Sequence, residues 1–209
     1  MKEDELQISE CDYDGGLYPL SRREFLQSIG GGIIILFTVG DAPTAKGQGR
    51  EKERPDFNAY LRIAEDGRVT CFTGKVELGQ GVMTSLAQTL ADELDVSLKS
   101  VDMVMGDTAL CPYDAGTWGS MTTPYFGPVL RAAGAEARAV LMGLAAVRLK
   151  VPKDQLDVED GVVFDKAQRG RKVTYAQLAK GRRIERRLEQ KPQVKNVEEF
   201  KIIGKPLNR

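Results

Sequence analysis

The fold of this chain is decided by the stretch FTGKVELGQGVMT, which covers residues 72–84. Its first residues are apolar or β-branched, its centre is a Gly-Gln-Gly triplet, and apolar residues at helical spacing follow at once. Two glycines around one amide permit positive backbone φ and a close approach to the backbone, and the first N–H groups of a helix lack intrahelical partners. The stretch therefore predicts a strand, a tight turn and a helix. The turn is either a ligand-binding turn with Gln80 at its tip or a plain helix start with an exposed glutamine.

Strands are predicted on both sides of this turn. Residues 60–64 and 69–73 alternate around the Asp-Gly pair at positions 66–67, which is a strong hairpin signal. Residues 101–105 alternate in the same way. The second strand of the hairpin thus leads directly into the Gly-Gln-Gly turn.

The helix that follows the turn is amphipathic. Apolar residues recur at helical spacing from Val82 to Leu94, and this spacing predicts one face packed on a sheet. Met83 is assigned to the core, because methionine commonly fills gaps there. Asp92 and Glu93 fall on the opposite, polar side of the helix.

A segment with little periodicity, residues 109–123, is rich in hydroxyls and glycines. Loops of this length within a compact domain are uncommon unless they have a function, and hydroxyls and bare backbone N–H groups suit oxygen-rich ligands such as phosphates. Trp118 either stacks on a ligand ring or plugs the loop onto the core. A long helix rich in small residues, 128–150, is predicted next.

The rest of the folded part carries two further local signals. Asp160 and Gly161 lie between two short strand patterns and predict a second hairpin. Thr174 and Gln177 have the spacing of a capping box that opens a short helix, residues 175–180.

Composition excludes several classes of function. The 209 residues contain 30 basic and 30 acidic side chains, so the net charge is zero and nucleic acid is not an expected partner. Histidine is absent, which excludes histidine triads and histidine metal ligands in this chain. The three cysteines, Cys11, Cys71 and Cys111, lie too far apart for zinc or iron–sulfur spacing.

The N-terminal region, residues 1–45, has features of a twin-arginine export signal. Arg22 and Arg23 precede a moderately apolar run, 29–40, that is too short for a membrane span. We therefore expect export to the periplasm or to the periplasmic face of the inner membrane. The alternative is a surface helix with a basic start, followed by a buried apolar segment. Residues 46–57 are predicted to be a flexible linker.

The C-terminal region, residues 181–209, is predicted to be a basic connecting tail. Five of its basic residues cluster around 182–191. This stretch is either a docking face for an acidic partner or a solvated segment.

Three blocks of sequence together resemble one family: VELGQGVMT (76–84), VMGDT (104–108) and GTWGSMTT (116–123). They are similar to the molybdopterin-binding large subunit of the xanthine dehydrogenase and aldehyde oxidase superfamily, and most of all to its exported, isoquinoline 1-oxidoreductase-like branch. The resemblance implies an α+β domain over residues 58–180. This domain would have two layers, with a mixed sheet and helices packed on one face.

The resemblance also implies the residues of a molybdopterin site. The Gly-Gln-Gly turn would contact the pterin and the region of the molybdenum ligands, and the loop would bind the pterin and its phosphate end. The implied cofactor-binding residues are Gly79, Gln80, Gly81, Gly116, Thr117, Gly119, Ser120, Thr122 and Thr123. No catalytic residue and no protein ligand to the metal is assigned, because the catalytic glutamate of such subunits lies beyond the part resembled.

The function implied is that of a partial molybdenum hydroxylase subunit. Such enzymes hydroxylate aldehydes or N-heterocycles with oxygen from water and pass the electrons to 2Fe–2S clusters. The expected partners are the remainder of the large subunit and a 2Fe–2S small subunit, with a membrane cytochrome as a further candidate. The chain alone is expected to be inactive. The alternative is an exported, non-catalytic binding or assembly module that docks to a partner subunit.

Overall fold

The computed structural model describes residues 31–38, 59–114, 116–188 and 192–205. The chain divides into two units, Met1–Gly30 and Gly31–Arg209, and every described residue belongs to the second. Arg22, Arg23 and the predicted linker lie outside the described residues.

The described residues form two sheets and three α-helices. A five-stranded sheet has the order β4-β3-β2-β1-β8, and a three-stranded sheet has the order β5-β6-β7. The strands are β1 Gly32–Phe37, β2 Ala59–Ile63, β3 Val69–Thr73, β4 Val101–Met105, β5 Leu156–Glu159, β6 Val162–Asp165, β7 Lys172–Thr174 and β8 Arg183–Arg187. The helices are α1 Val82–Leu94, α2 Gly127–Leu149 and α3 Tyr175–Ala179.

The predicted hairpin lies within the large sheet and leads into the predicted helix. Strands β2 and β3 pair antiparallel, and β4 pairs parallel to β3. A parallel neighbour requires a crossover connection, and α1 provides it. The strand, turn and helix predicted from residues 72–84 are therefore confirmed as the start of a βαβ unit.

Helices α1 and α2 share one hydrophobic core with the sheet. Ile35, Leu61 and Cys71 from the strands are buried in the same cluster as Leu90 and Leu141 from the helices. The mixed pairing and the two packed helices confirm the predicted two-layer α+β fold.

The apolar run that we assigned to an export signal contains a central strand of this sheet. Strand β1 pairs antiparallel with β2 and parallel with β8, and all six of its residues are buried. Gly32 has φ +120, and a Cβ at this position would clash with the Ile63 carbonyl oxygen. The predicted boundary at residue 58 therefore does not match the start of the sheet. A short apolar run has the same composition in an export signal and in a buried strand. Only the strands that pair with it distinguish the two.

The predicted C-terminal tail also contributes to the fold. Arg183–Arg187 forms the edge strand β8, parallel to β1. Residues 201–203 lie against α1, where the Asp92 carboxylate accepts hydrogen bonds from the backbone N–H groups of Lys201, Ile202 and Ile203 at 2.7–3.1 Å. The boundary predicted at residue 181 is therefore not a boundary of the folded part.

The helical pattern placed Asp92 and Glu93 on the polar side of the helix, and this prediction is wrong about their exposure. Both are buried, with 3% and 0% of their surface exposed. Glu93 accepts a hydrogen bond from the Lys195 backbone N–H at 2.9 Å and from the Arg131 side chain at 3.2 Å. The Lys195 ammonium lies 2.5 Å from Asp95. Buried carboxylates need such partners to offset desolvation, and the C-terminal segment supplies most of them.

The small sheet follows the local signals closely. Asp160 and Gly161 both have positive φ, 46° and 70°, as a two-residue type I′ hairpin requires. The capping box of Thr174 and Gln177 is present at the start of α3. Both local predictions are confirmed.

Candidate functional site

The Gly-Gln-Gly turn joins the end of β3 to the start of α1. Gly79 and Gly81 have φ +96 and +79, and a Cβ built at either would meet no heavy atom within 4 Å. Their backbone therefore faces open space and can be approached closely. This geometry fits a ligand-binding turn.

Gln80 does not extend away from the turn but bridges it. Its Oε1 accepts a hydrogen bond from the Leu78 N–H at 2.5 Å, and its Nε2 donates to the Val76 carbonyl at 2.9 Å. The two partners fix which end of the amide is nitrogen, because a donor must meet an acceptor at each end. One N–H of Nε2 and one lone pair of Oε1 remain for a ligand.

Glu77 caps the start of α1 with its carboxylate. Its Oε1 accepts hydrogen bonds from the N–H groups of Gly79 and Gly81, both at 2.8 Å, and its Oε2 accepts from Met83 at 2.9 Å. The hydrogen bonds from Met83 and Gly81 lower the pKa of Glu77, and desolvation opposes them. Glu77 is therefore ionised, and its carboxylate binds N–H groups at the start of α1 that the sequence had left available for a ligand.

The turn and the hydroxyl-rich loop are joined by a lysine. The Lys75 ammonium lies 2.7 Å from Asp114 Oδ1 and donates to the Gly116 carbonyl, also at 2.7 Å. The Lys75 and Asp114 side chains are only 15% and 3% exposed. Thr117 Oγ1 accepts a hydrogen bond from the Val76 N–H at 2.9 Å. These contacts place Gly116 and Thr117 beside the turn, as predicted.

The loop is also attached at its first residues. The Tyr60 hydroxyl donates to the Leu110 carbonyl at 3.0 Å, and its ring stacks on Phe72 with centroids 4.4 Å apart. Burial raises the pKa of Tyr60 and keeps this donor neutral. The loop is therefore anchored to the same strand pair that carries the turn.

The other predicted loop residues differ in their exposure. Gly119 and Ser120 are exposed and both have positive φ, in a turn closed by the Met121 N–H to the Trp118 carbonyl at 3.2 Å. Thr122 is buried and Thr123 is exposed, at the start of a short π-helix, Thr122–Phe126, that leads into α2. Thr122 therefore offers less of its side chain to a ligand than Ser120 or Thr123.

Large apolar side chains are exposed around these two segments. Trp118 is 59% exposed, with the Lys75 ammonium 5.9 Å from its ring centre, so it does not plug the loop onto the core. Met83 is 40% exposed, which corrects its assignment to the core. Among the described residues, eight of the ten exposed large apolar side chains lie between positions 76 and 125: Val76, Leu78, Met83, Leu110, Tyr113, Trp118, Met121 and Tyr125. We call these eight residues the apolar rim.

The described residues contain no group of three His, Cys, Asp or Glu side chains that could hold a metal ion. A cavity of about 690 Å³ lies between α2, the β5–β6 hairpin and residues 192–201, and its lining includes Arg138, Arg169 and Lys195. None of its lining residues belongs to the turn or the loop. No helix in the described part of the chain is long and apolar enough to cross a membrane.

The sequence did not identify Lys75, Glu77 and Asp114 as parts of this site. Glu77 could have been found, because a carboxylate just before a helix start is a common cap. Lys75 and Asp114 are 39 positions apart, and no local pattern connects them.

The sequence blocks, the turn and the loop together agree with one protein family. A family model described as "Molybdopterin cofactor-binding domain" matches residues 20–206. The chain belongs to this family. The sequence blocks resemble the same molybdopterin-binding family, and the match confirms this resemblance.

Named relatives of this molybdopterin-binding chain are subunits of larger enzymes. It is 34% identical to a subunit of nicotinate dehydrogenase from Pseudomonas putida over 90% of its own length and 16% of the relative. It is 37% identical to the beta subunit of isoquinoline 1-oxidoreductase from Brevundimonas diminuta over 76% of its length and 22% of the relative. The chain thus spans about a fifth of the length of these two relatives.

A solved structure supports the same fold. CO dehydrogenase from Oligotropha carboxidovorans superposes with a TM-score of 0.52 and 30% identity, over 58% of this chain and 15% of the other. Together with the family match, this likeness does not favour the alternative of a non-catalytic docking module. The basic stretch on which that alternative depended is partly the edge strand β8.

Proposed function

We propose that this chain supplies one wall of the molybdenum-cofactor site of a molybdenum hydroxylase. The observation that carries the proposal is the joining of the Gly-Gln-Gly turn to the hydroxyl-rich loop through Lys75 and Thr117. These are the two segments that the family resemblance assigns to one cofactor.

The residues present fit such a cofactor. Gly79 and Gly81 leave open space beside the backbone, Gln80 retains one donor and one acceptor, and the hydroxyl-bearing residues Ser120 and Thr123 are exposed. When bound, the cofactor would supply the redox centre at which the substrate is hydroxylated. This chain would bind and orient the cofactor through Gln80 and the loop, and it would supply no catalytic base.

The rest of the large subunit would cover the apolar rim. Large exposed apolar side chains commonly form interaction sites, eight of them lie between positions 76 and 125, and this chain matches only 16% and 22% of the two relatives. A separate 2Fe–2S subunit would take the electrons, with a membrane cytochrome as a candidate acceptor. The chain alone would then be inactive.

N-heterocycles are the substrate class that the relatives favour. Nicotinate and isoquinoline, named in two of the relatives, are both aromatic nitrogen heterocycles. Aldehydes are the second class, as the resemblance implied.

The decisive experiment is the molybdenum and pterin content of the chain purified with its native partners. We expect both to be present, and we expect Gln80→Ala to lower cofactor occupancy, because it removes the amide that is proposed to contact the cofactor. Gln177→Ala, at the capping box of α3, is the control outside the site. Absence of molybdenum and pterin from the wild-type complex would refute the proposed function, and unchanged occupancy in Gln80→Ala would refute the role of Gln80.

Export through Arg22 and Arg23 is part of the same proposal. Any cleavage would have to occur before Gly32, because loss of β1 would remove a central strand of the sheet. We expect the chain in the periplasmic fraction, and the Arg22→Lys, Arg23→Lys variant in the cytoplasm. Equal distribution of the two proteins would contradict export by this route.

A further inference from the structure

Glu77 occupies the hydrogen-bond donors that surround the candidate cofactor turn. Its two oxygens accept from residues two, four and six positions further along the chain: Gly79, Gly81 and Met83. Three N–H groups around one carboxylate form a charge-assisted set, and the positive end of the α1 dipole favours the same charge. One side chain therefore contacts the backbone at three points between residues 79 and 83.

Gln80 lies inside the loop that Glu77 closes. Its neighbours on both sides, Gly79 and Gly81, donate to the same Glu77 oxygen. This places the Gln80 side chain where it can bridge Leu78 and Val76. Since Gly79 and Gly81 have positive φ and no Cβ, their own side chains contribute nothing to holding the turn.

We propose that Glu77 is a positioning residue, which holds the turn so that Gln80 presents its remaining N–H and lone pair to the cofactor in one fixed orientation. The relevance to the cofactor rests on the function proposed above, whereas the positioning of Gln80 does not. A second consequence concerns charge. An anionic group of the cofactor would meet a resident carboxylate at the start of α1, so its phosphate end would bind at the loop, residues 116–123, instead.

The chemistry of the cap requires a carboxylate. Glutamine has one acceptor oxygen and one donor nitrogen, so in Glu77→Gln an NH2 group would face at least one of the three N–H donors. The variant keeps the size of the side chain and removes its charge. It therefore separates the effect of the cap from that of side-chain volume.

The first test measures hydrogen exchange on the full chain by NMR, without cofactor. In the wild type, we expect slow exchange at the Gly79, Gly81 and Met83 amides and at one of the two Gln80 side-chain protons. In Glu77→Gln, we expect exchange at these sites to be roughly tenfold faster or more, because a charge-assisted hydrogen bond is lost. The Cys71 amide in β3 is the internal reference, and Glu159→Gln, with a 64% exposed side chain, is the control variant. Wild-type exchange rates at the turn in Glu77→Gln would overturn the proposal.

Gln80→Ala tests whether Glu77 or Gln80 holds the turn in place. If Glu77 holds the turn, this variant keeps the slow exchange of the Gly79, Gly81 and Met83 amides. Loss of their protection in Gln80→Ala would mean that Gln80 holds the turn itself, and the proposal would be overturned. Because Gln80 is exposed, this substitution does not threaten the core.

The second test uses the complex purified with its native partners. We expect Glu77→Gln to weaken cofactor retention by about 10–100-fold, the range typical of groups that orient a ligand shell. Retention equal to wild type would overturn the link between Glu77 and the cofactor. If the wild-type complex held no molybdenum, the proposed function would fail, and the exchange measurements would still decide the role of Glu77.

Discussion

Asp92 offers the sharpest test of how the C-terminal segment is held. Its carboxylate is 3% exposed and accepts from the backbone N–H groups of Lys201, Ile202 and Ile203. The substitution Asp92→Asn keeps the shape of the side chain but turns one acceptor oxygen into a donor. At least one of the three N–H groups then loses its partner.

The magnitude follows from two opposing effects. One unsatisfied donor costs about 1–3 kcal/mol, and the remaining bonds each weaken by about 1 kcal/mol when the acceptor loses its charge. Asparagine, however, avoids the desolvation of a buried carboxylate, which offsets part of this loss. We expect a net loss of about 2 kcal/mol in the free energy of unfolding, which is a fall of roughly 4–8 °C in Tm for a chain of this size.

The assay is urea denaturation of the full chain, with hydrogen exchange at residues 201–203 as the local measurement. The matched control is Asp102→Asn, whose pair with Arg68 is 47% exposed on both sides. An exposed pair contributes about 0–1 kcal/mol, so this variant should lie close to wild type. If Asp92→Asn destabilises the chain no more than Asp102→Asn, the buried carboxylate does not hold the C-terminal segment.

Three further predictions test the sheet and the site. Gly32→Ala should lower the free energy of unfolding by about 2 kcal/mol or more, measured by urea denaturation, because of the positive φ and the contact with Ile63. Gly170→Ala, which has open space around it, should be nearly neutral. Equal losses in the two variants would contradict the close approach of β1 to Ile63. Lys75→Met should cost about 2–4 kcal/mol by leaving the Asp114 carboxylate buried without its cation, and Asp114→Asn should restore part of this loss in the double variant; strictly additive losses would contradict a direct pair. Because the pKa of Glu77 is lowered in the folded state, its stabilising effect is present above the unfolded pKa of about 4.3 and is lost as pH falls through the folded pKa. The difference in denaturation midpoint between wild type and Glu77→Gln should therefore shrink as the pH falls below about 4.3, and a constant difference would contradict the cap.

The sequence alone predicted the elements whose causes are local. The Gly-Gln-Gly turn, the Asp-Gly hairpin at 160–161 and the capping box at Thr174 each depend on residues within about six positions of one another. Backbone conformation at such sites is set by φ preferences and nearby donors and acceptors. These interactions do not depend on how the rest of the chain packs, and the structure contains all three.

Only the tertiary structure decided which distant residues pair with these elements and which side chains are buried. The run Gly32–Phe37 is a buried strand because β2 and β8 lie on both sides of it, although its composition equally suits an export signal. Asp92 is buried because its hydrogen-bond donors come from residues more than 100 positions later, and helical periodicity cannot distinguish a solvated carboxylate from one satisfied by distant backbone. In the same way, the turn and the loop become one candidate site through long-range contacts of Lys75 with Asp114 and Gly116 and of Val76 with Thr117. Burial and long-range pairing depend on the packing of the whole chain, whereas turns and caps depend on the nearest residues.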